Sequence, residues 1–289
     1  VNGNFGMKLH EHDKYDGSHR ARKSFHFFDN VIVCLGTGIE NTDSKHNTET
    51  TVFQMAATDA KAQNYWKNYA AGNGKSWLDH AGTGYYTPQP VKFTGLVKQE
   101  SRMQNTDKQT EGQWASLYFD HGKAPKNASY EYAVIPQTTR EKIDAFAAAP
   151  TYKVLRADNE AHIVSSDATH TVSYVLFETP KDVLPGGPLL KADTTCLAMV
   201  RMINSKKMLL TVTQPDLALY RGPNDDIYKD GKRVERSVYS RKWRSNASQE
   251  IPVRITLRGK WNFTGNDAIK LVEQTKKSTT IEFVCTDGL

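Results

Sequence analysis

Short apolar runs, many alternating with polar positions and separated by turn residues, dominate this chain, and a period of two is the mark of half-buried β-strands. Residues 22–53 show it best. Ser24–Phe28 is aromatic-rich, Asp29-Asn30 is a turn pair, and Val31–Leu35 is a β-branched apolar run. Gly36 and Gly38 follow, and Thr50–Phe53 opens a third strand. A hairpin with a returning strand predicts one antiparallel sheet. Alternation places His26 opposite Phe25 and Phe27, on the surface. Trp77–Tyr86 reads as a loop and a strand start hinged at Gly82 and Gly84. Further strands are predicted at Val91–Val97, Gln113–Asp120 and Tyr130–Pro136. Residues 55–71 hold enough Ala for a helical turn, and the pattern there does not choose between helix and strand with loop. The clearest helix is Thr139–Ala149: Thr139 can cap it, Ile143, Phe146 and Ala147 share a face, and Pro150 ends it.

Two short strands, Tyr152–Arg156 and Ala161–Val164, flank the turn Asp158-Asn159, and Ser173–Glu178 alternates again. A Pro/Gly-rich segment at Lys181–Pro188 follows, and a domain boundary is expected near residues 165–175. Beyond it come evenly spaced strand signals at Cys196–Asn204, Met208–Gln214, Leu217–Arg221, Arg236–Tyr239, Ile251–Arg258, Ile269–Gln274 and Thr279–Cys285. Turn residues such as Pro215-Asp216 and Asp230-Gly231 divide them, which argues a small β-sandwich. The fold class is therefore all-β, in two pieces, residues 1–170 and 171–289.

The same stretches carry a family resemblance. Ala21-Arg22-Lys23-Ser24, Phe27-Phe28-Asp29, Leu35-Gly36-Thr37-Gly38-Ile39 and Thr48-Glu49-Thr50-Thr51 resemble the sheet region of polysaccharide lyases of the chondroitin ABC lyase and hyaluronate lyase group, polysaccharide lyase family eight. Trp77-Leu78-Asp79-His80 with Gly84-Tyr85-Tyr86, His121-Gly122-Lys123-Ala124-Pro125 and Tyr130-Glu131-Tyr132-Ala133 agree in order. Asn41 and the surroundings of Thr48–Gln54 favour the chondroitin ABC type. The resemblance implies the later part of a large antiparallel β-sandwich followed by a smaller C-terminal one. It also implies a secreted or periplasmic bacterial protein and no required cofactor, with room for a divalent cation.

Composition changes this picture little. A hydrophobic fraction of 38% suits sheets with one solvated face. The formal charge of +6 points to an anionic partner, but it is the difference of 38 basic and 32 acidic residues spread along the chain. No nucleic-acid motif appears, and no apolar run approaches the ~20 residues of a membrane-spanning helix. Cys34, Cys196 and Cys285 are far apart; they read as buried thiols, with one disulfide permitted but not implied. His10 and His12 share a strand face without further ligands around them, so a solvated edge is expected and no metal site. The start at Val1 carries neither an initiator Met nor a signal-peptide pattern, and a fragment or processed piece of a longer protein is expected.

A lyase acting on a uronic-acid polymer removes the proton α to a carboxylate. It needs a donor that neutralises the carboxylate, a base for the C5 proton and an acid for the leaving oxygen. In the family resembled, a His, a Tyr and an Arg on an α-helical toroid do this, joined by a Glu from the early part of the first sheet domain. The chain is expected to begin downstream of all four, so no catalytic residue is assigned. Locally, His80 beside Tyr85 and Tyr86 is the best candidate and His121 beside Gly122 the second; the plainer reading is a turn whose aromatics pack into the sheet. Asp79 can pair with an Arg or Lys. Two basic-aromatic clusters suit a sulfated or carboxylated glycan: Arg20, Arg22 and Lys23 ahead of Phe25, and Tyr239, Arg241, Lys242, Trp243 and Arg244. The plainer reading is a strand edge whose charges prevent aggregation. The candidate substrate contacts are thus Arg20, Arg22, His80, Tyr85, Arg241 and Trp243.

The expected function is a non-catalytic β portion of a glycosaminoglycan lyase. Its partners would be an anionic polysaccharide (chondroitin or dermatan sulfate, or hyaluronan) and the α-toroid of the parent enzyme, with no nucleic acid and no membrane span. The alternatives are an autonomous carbohydrate-binding β-sandwich and a complete small lyase using His80 or His121.

Overall fold

The computed structural model describes residues 2–11, 16–69, 74–103, 106–215, 227–234, 250–264 and 269–286. It is built almost entirely of antiparallel strands in two compact units. One comprises Val1–Asn2 with Phe25–Thr151, the other Gly3–Ser24 with Tyr152–Leu289. The units part at Thr151, just after the second helix and earlier along the chain than the change of texture at 165–175.

The strands up to Thr151 are β1 (Asn2–His10), β2 (Arg20–Phe28), β3 (Val31–Glu40), β4 (Asn47–Ala56), β5 (Ser76–Leu78), β6 (Gly84–Tyr86), β7 (Lys92–Arg102), β8 (Gln109–Lys123) and β9 (Ala128–Ile135). Helix α1 (Ala60–Lys67) follows β4, and α2 (Arg140–Ala148) follows β9. The β2–β3 hairpin forms as expected, with Asp29 in the left-handed conformation at φ 50°, which Asp tolerates in tight turns. β4 does not return to that sheet. It pairs with β8 in a three-stranded sheet ordered β4-β8-β7, whereas β3 continues to β9, β6 and β5. The two sheets close over a core of Phe53, Ala57, Ala62, Trp66, Trp77, Tyr85, Ala115 and Leu117.

Gly36 lies opposite Tyr130, and a Cβ at that position would sit 2.1 Å from the tyrosine ring, so the strand needs glycine there. His26 is fully buried, not on the surface, and Phe27 is the outward residue. The inward positions of β2 run Ala21, then Ser24, His26 and Phe28, so the alternation changes parity after Ala21. Counting from Phe25 and Phe27 therefore chose the wrong face. Within 55–71, the described residues 55–69 hold the end of β4 and α1, which Asp59 caps by accepting from the Ala62 N–H at 2.8 Å. The helix expected at Thr139–Ala149 is α2, capped by Thr139.

The second unit adds β10 (Tyr152–Ala157), β11 (Ala161–Ser166), β12 (Thr171–Leu176), β13 (Leu189–Ala192), β14 (Cys196–Asn204), β15 (Lys207–Thr213), the small hairpin β16 (Ile227–Lys229) and β17 (Lys232–Val234), β18 (Ile251–Arg258), β19 (Ile269–Gln274) and β20 (Ser278–Cys285). A five-stranded sheet, β10-β11-β12-β14-β15, and a four-stranded one, β13-β18-β20-β19, enclose a core that includes Ile163, Tyr174, Leu189, Val200, Ile255 and Leu257. The segment through His10, expected as a solvated edge, is the end of β1, an edge strand beside β2 on which His10 is exposed. The Asn4 side-chain amide donates to the Ser173 hydroxyl and to the Tyr174 and Ala198 carbonyls, tying β1 to β12 and β14.

Candidate functional site

In the first unit the candidate site forms around the β5–β6 turn. Trp77 pairs with Tyr85 across the hairpin. The buried Asp79 organises the turn: its Oδ1 accepts from the Ala81 and Thr83 N–H groups, each at 2.9 Å, and its Oδ2 accepts from the Tyr85 hydroxyl at 3.0 Å. Asp79 thus serves the turn itself and not an Arg or Lys partner. Burial first, and then the Asp79 charge, push the Tyr85 phenol far above its ordinary range. The Tyr85 ring lies tilted against Phe53 with ring centres 5.0 Å apart, so it is a core residue with its polar end already used.

His80 meets different partners from those expected. Its Nδ1 accepts from the Trp66 indole N–H at 3.0 Å, and its ring centre lies 5.7 Å from Trp66 and 6.3 Å from Tyr65. An indole N–H can only meet an unprotonated Nδ1, so this geometry puts the imidazole proton on Nε2. The Tyr65 hydroxyl donates to the Leu78 carbonyl at 2.7 Å, and burial raises its phenol to about 12. The Tyr69 hydroxyl accepts from the Leu78 N–H at 3.2 Å. Arg140, at the start of α2, donates to the Ser76 carbonyl at 3.3 Å, bonds Tyr69 and faces Asp144 at 3.6 Å. The result is a half-buried surface of imidazole, two phenol rings and a guanidinium. Such a surface can stack on a sugar face and offer donors to an anionic substituent. Tyr65, Trp66, Tyr69 and Arg140 were missed at the level of sequence. The i, i+4 spacing of Tyr65 and Tyr69 was the available signal, masked by the ambiguity of residues 55–71.

In the second unit Arg20 is exposed and Arg22 partly buried. The Arg22 Nη2 lies 3.3 Å from Glu178 Oε1, and Lys8 Nζ shares that oxygen at 2.9 Å. These two cations, Lys8 foremost, hold the Glu178 carboxyl below its usual range. Beneath them the buried His162 bonds Ser24 at 2.7 Å and meets the edge of Phe177, with burial pressing its pKa down to about 4. One arm of the Arg22 fork is therefore committed to a carboxylate, and Arg20 is the more available of the pair. A shallow groove of about 600 Å³ opens elsewhere in this unit; its lining includes Lys153, Leu155, Asp167, His170, Met202 and Asn204.

His121 is held by Thr50, with its Nε2 2.9 Å from the hydroxyl oxygen, and its ring lies 6.4 Å from Tyr130. Arg241 and Trp243, with the rest of their cluster, lie outside the described residues, as does His12. Among the described residues no three His, Cys, Asp or Glu side chains gather as metal ligands.

Residues 1–147 of the 289 match the model of polysaccharide lyase family 8, super-sandwich domain. The chain belongs to polysaccharide lyase family 8. Two curated family-8 relatives are both called chondroitin sulfate ABC exolyase: one from Bacteroides thetaiotaomicron, 58% identical over all 289 residues, and one from Proteus vulgaris, 36% identical over 275. The chain spans 28% and 27% of their lengths. Among solved structures, the Streptomyces coelicolor chondroitin AC lyase in complex with chondroitin sulphate superposes with a TM-score of 0.70 at 19% identity, over 99% of this chain and 33% of that one. A Paenibacillus xanthan lyase superposes at 0.67 and 18% identity, over 99% of this chain and 28% of that one. At those identities the likeness concerns the fold, and it agrees with the all-β architecture. No helix among the described residues is long and apolar enough to cross a membrane.

Proposed function

We propose that this chain is the non-catalytic β portion of a chondroitin ABC-type glycosaminoglycan lyase, scaffolding the catalytic part and bordering its substrate cleft. The observation that carries this reading is the 58% identity to a chondroitin sulfate ABC exolyase along every residue of the chain, of which it spans 28%. The parent reaction would be β-elimination on chondroitin or dermatan sulfate, with hyaluronan as a further substrate, in a secreted or periplasmic enzyme. The rest of that enzyme, with an α-toroid, is the proposed partner. The arrangement of side chains agrees. His80, the best local candidate for base or acid, is bonded to an indole N–H, and the Tyr85 phenol is spent on Asp79. Glycan contact is assigned to His80, Tyr65, Tyr69 and Arg140 in the first unit and to Arg20 in the second.

The test is turnover on chondroitin sulfate, followed by ultraviolet absorbance of the unsaturated product. This chain alone should be folded and silent, and the parent enzyme active. Product from the chain alone would overturn the reading and make His80 and His121 the residues to mutate. The groove beside Lys153 and Asn204 favours a second reading, an autonomous carbohydrate-binding sandwich. Calorimetric titration of the chain with chondroitin sulfate oligosaccharides separates the two: tight binding without the catalytic part supports the second.

A further inference from the structure

Cys196 and Cys285 come from strands 89 positions apart that belong to opposite sheets of the second unit. Both are buried, 2% and 3% exposed, and both lie in the same core cluster. Gln214 links them. Leu197 and Thr213 form the terminal pair of the β14–β15 ladder, so Cys196 and Gln214 face each other one step further on. The Gln214 side chain donates to the carbonyl and hydroxyl oxygens of Thr195, the residue before Cys196, at 2.5 and 2.9 Å. The Gln214 backbone N–H points to the Cys285 sulfur. One residue thus grips the backbone beside one thiol and the sulfur of the other.

We propose that Cys196 and Cys285 join as a cross-sheet disulfide when the chain folds in an oxidising compartment, clamping the two sheets of the second unit. Two Sγ–H bonds break and one Sγ–Sγ bond forms. The two protons and two electrons pass to a thiol–disulfide oxidoreductase or an oxidised low-molecular-weight thiol, whose own disulfide becomes two thiols. Burial keeps both thiols protonated in the closed sandwich, with Cys196 raised to about 12 and Cys285 also raised, so exchange takes place while the strands are still open. Cys34 is an internal control. It is buried in the other unit, bonded to Tyr132 and raised to about 12.

The experiment refolds the chain with oxidised and reduced glutathione, or with dithiothreitol alone, then unfolds it, alkylates the thiols and maps the peptides by mass. With glutathione, one alkylated thiol (Cys34) in place of three is expected, with a peptide pair joining Cys196 to Cys285 that is about 2 Da lighter than the sum of its two free peptides. The thermal midpoint should rise by roughly 5–10 °C over the dithiothreitol sample, because the bond closes a long loop in the unfolded chain. Three alkylated thiols in folded protein from both conditions, or a bond through Cys34, would sink the proposal. A bond that leaves the midpoint unchanged removes the clamp. The double variant Cys196→Ala/Cys285→Ala should lose the redox dependence of the midpoint, and dependence surviving in it also counts against the pair. Should that variant fail to fold, the peptide map of the natural chain decides.

Discussion

At the scale of single residues, the buried polar groups make the sharpest predictions. His162 is fully buried beside Ser24 and Phe177, and burial lowers its pKa from 6.5 to about 4. Between those values the unfolded chain binds a proton that the folded chain refuses. Stability should therefore fall as pH drops from about 6.5 toward 4, by up to about 3 kcal/mol from this residue. Urea unfolding midpoints from pH 7.5 to 4.5 should show a shallower slope for His162→Gln than for the natural chain. The lowered carboxylates, such as Glu178, add their own loss in acid, but they do so in both proteins. Tyr85→Phe should destabilise by roughly 1.5–3 kcal/mol, since it removes a hydrogen bond to the buried Asp79 carboxylate. Full stability with weakened glycan binding would return Tyr85 to the list of substrate contacts. None of these partnerships was legible in the sequence. Asp79 and Tyr85 are six positions apart, and Ser24 and His162 are 138 apart; neither spacing marks a pair until the sheets have formed.

At the scale of elements, most strands and α2 were legible because their periodicity and turn residues are local. Cys196–Asn204, Ile251–Arg258 and Ile269–Gln274 carry the bounds read from alternation. The failures share a cause. The sheet that β4 joins and the buried face of β2 around His26 depend on what lies opposite, and a period of two does not say which face meets a core. Helix α1 was ambiguous because eight residues hold little intrinsic helical stability, and burial of Ala62 and Trp66 supplies the rest. Asp59→Ala should cost about 1 kcal/mol and loosen the Tyr65, Trp66 and His80 cluster. Urea denaturation and the intensity of Trp fluorescence check this. Gly36→Ala should destabilise more, by roughly 1–3 kcal/mol, because its methyl group overlaps the Tyr130 ring. A variant as stable as the natural chain would mean that Tyr130 can move aside freely.

At the scale of the whole molecule, net charge limits the role that long-range attraction can play. The excess of +6 is what remains of 38 basic and 32 acidic residues, and cations such as Lys8, Lys92 and Lys98 are already engaged by carboxylates. On the proposed function, affinity for chondroitin sulfate oligosaccharides should fall by about tenfold or less between 50 and 200 mM NaCl, as expected for a few ionic contacts. A much steeper fall, measured by titration calorimetry, would indicate a broad electrostatic surface. The sequence by itself determined the all-β class, most strand positions and the lyase family, because alternation, turn chemistry and ordered short motifs are written residue by residue. Only the tertiary structure decided which sheet each strand joins, which side of β2 is buried and which side chains meet. Those depend on contacts that form only when separate strands and turns come together, where His80 finds Trp66, Tyr85 finds Asp79, and Gln214 bridges Thr195 and Cys285.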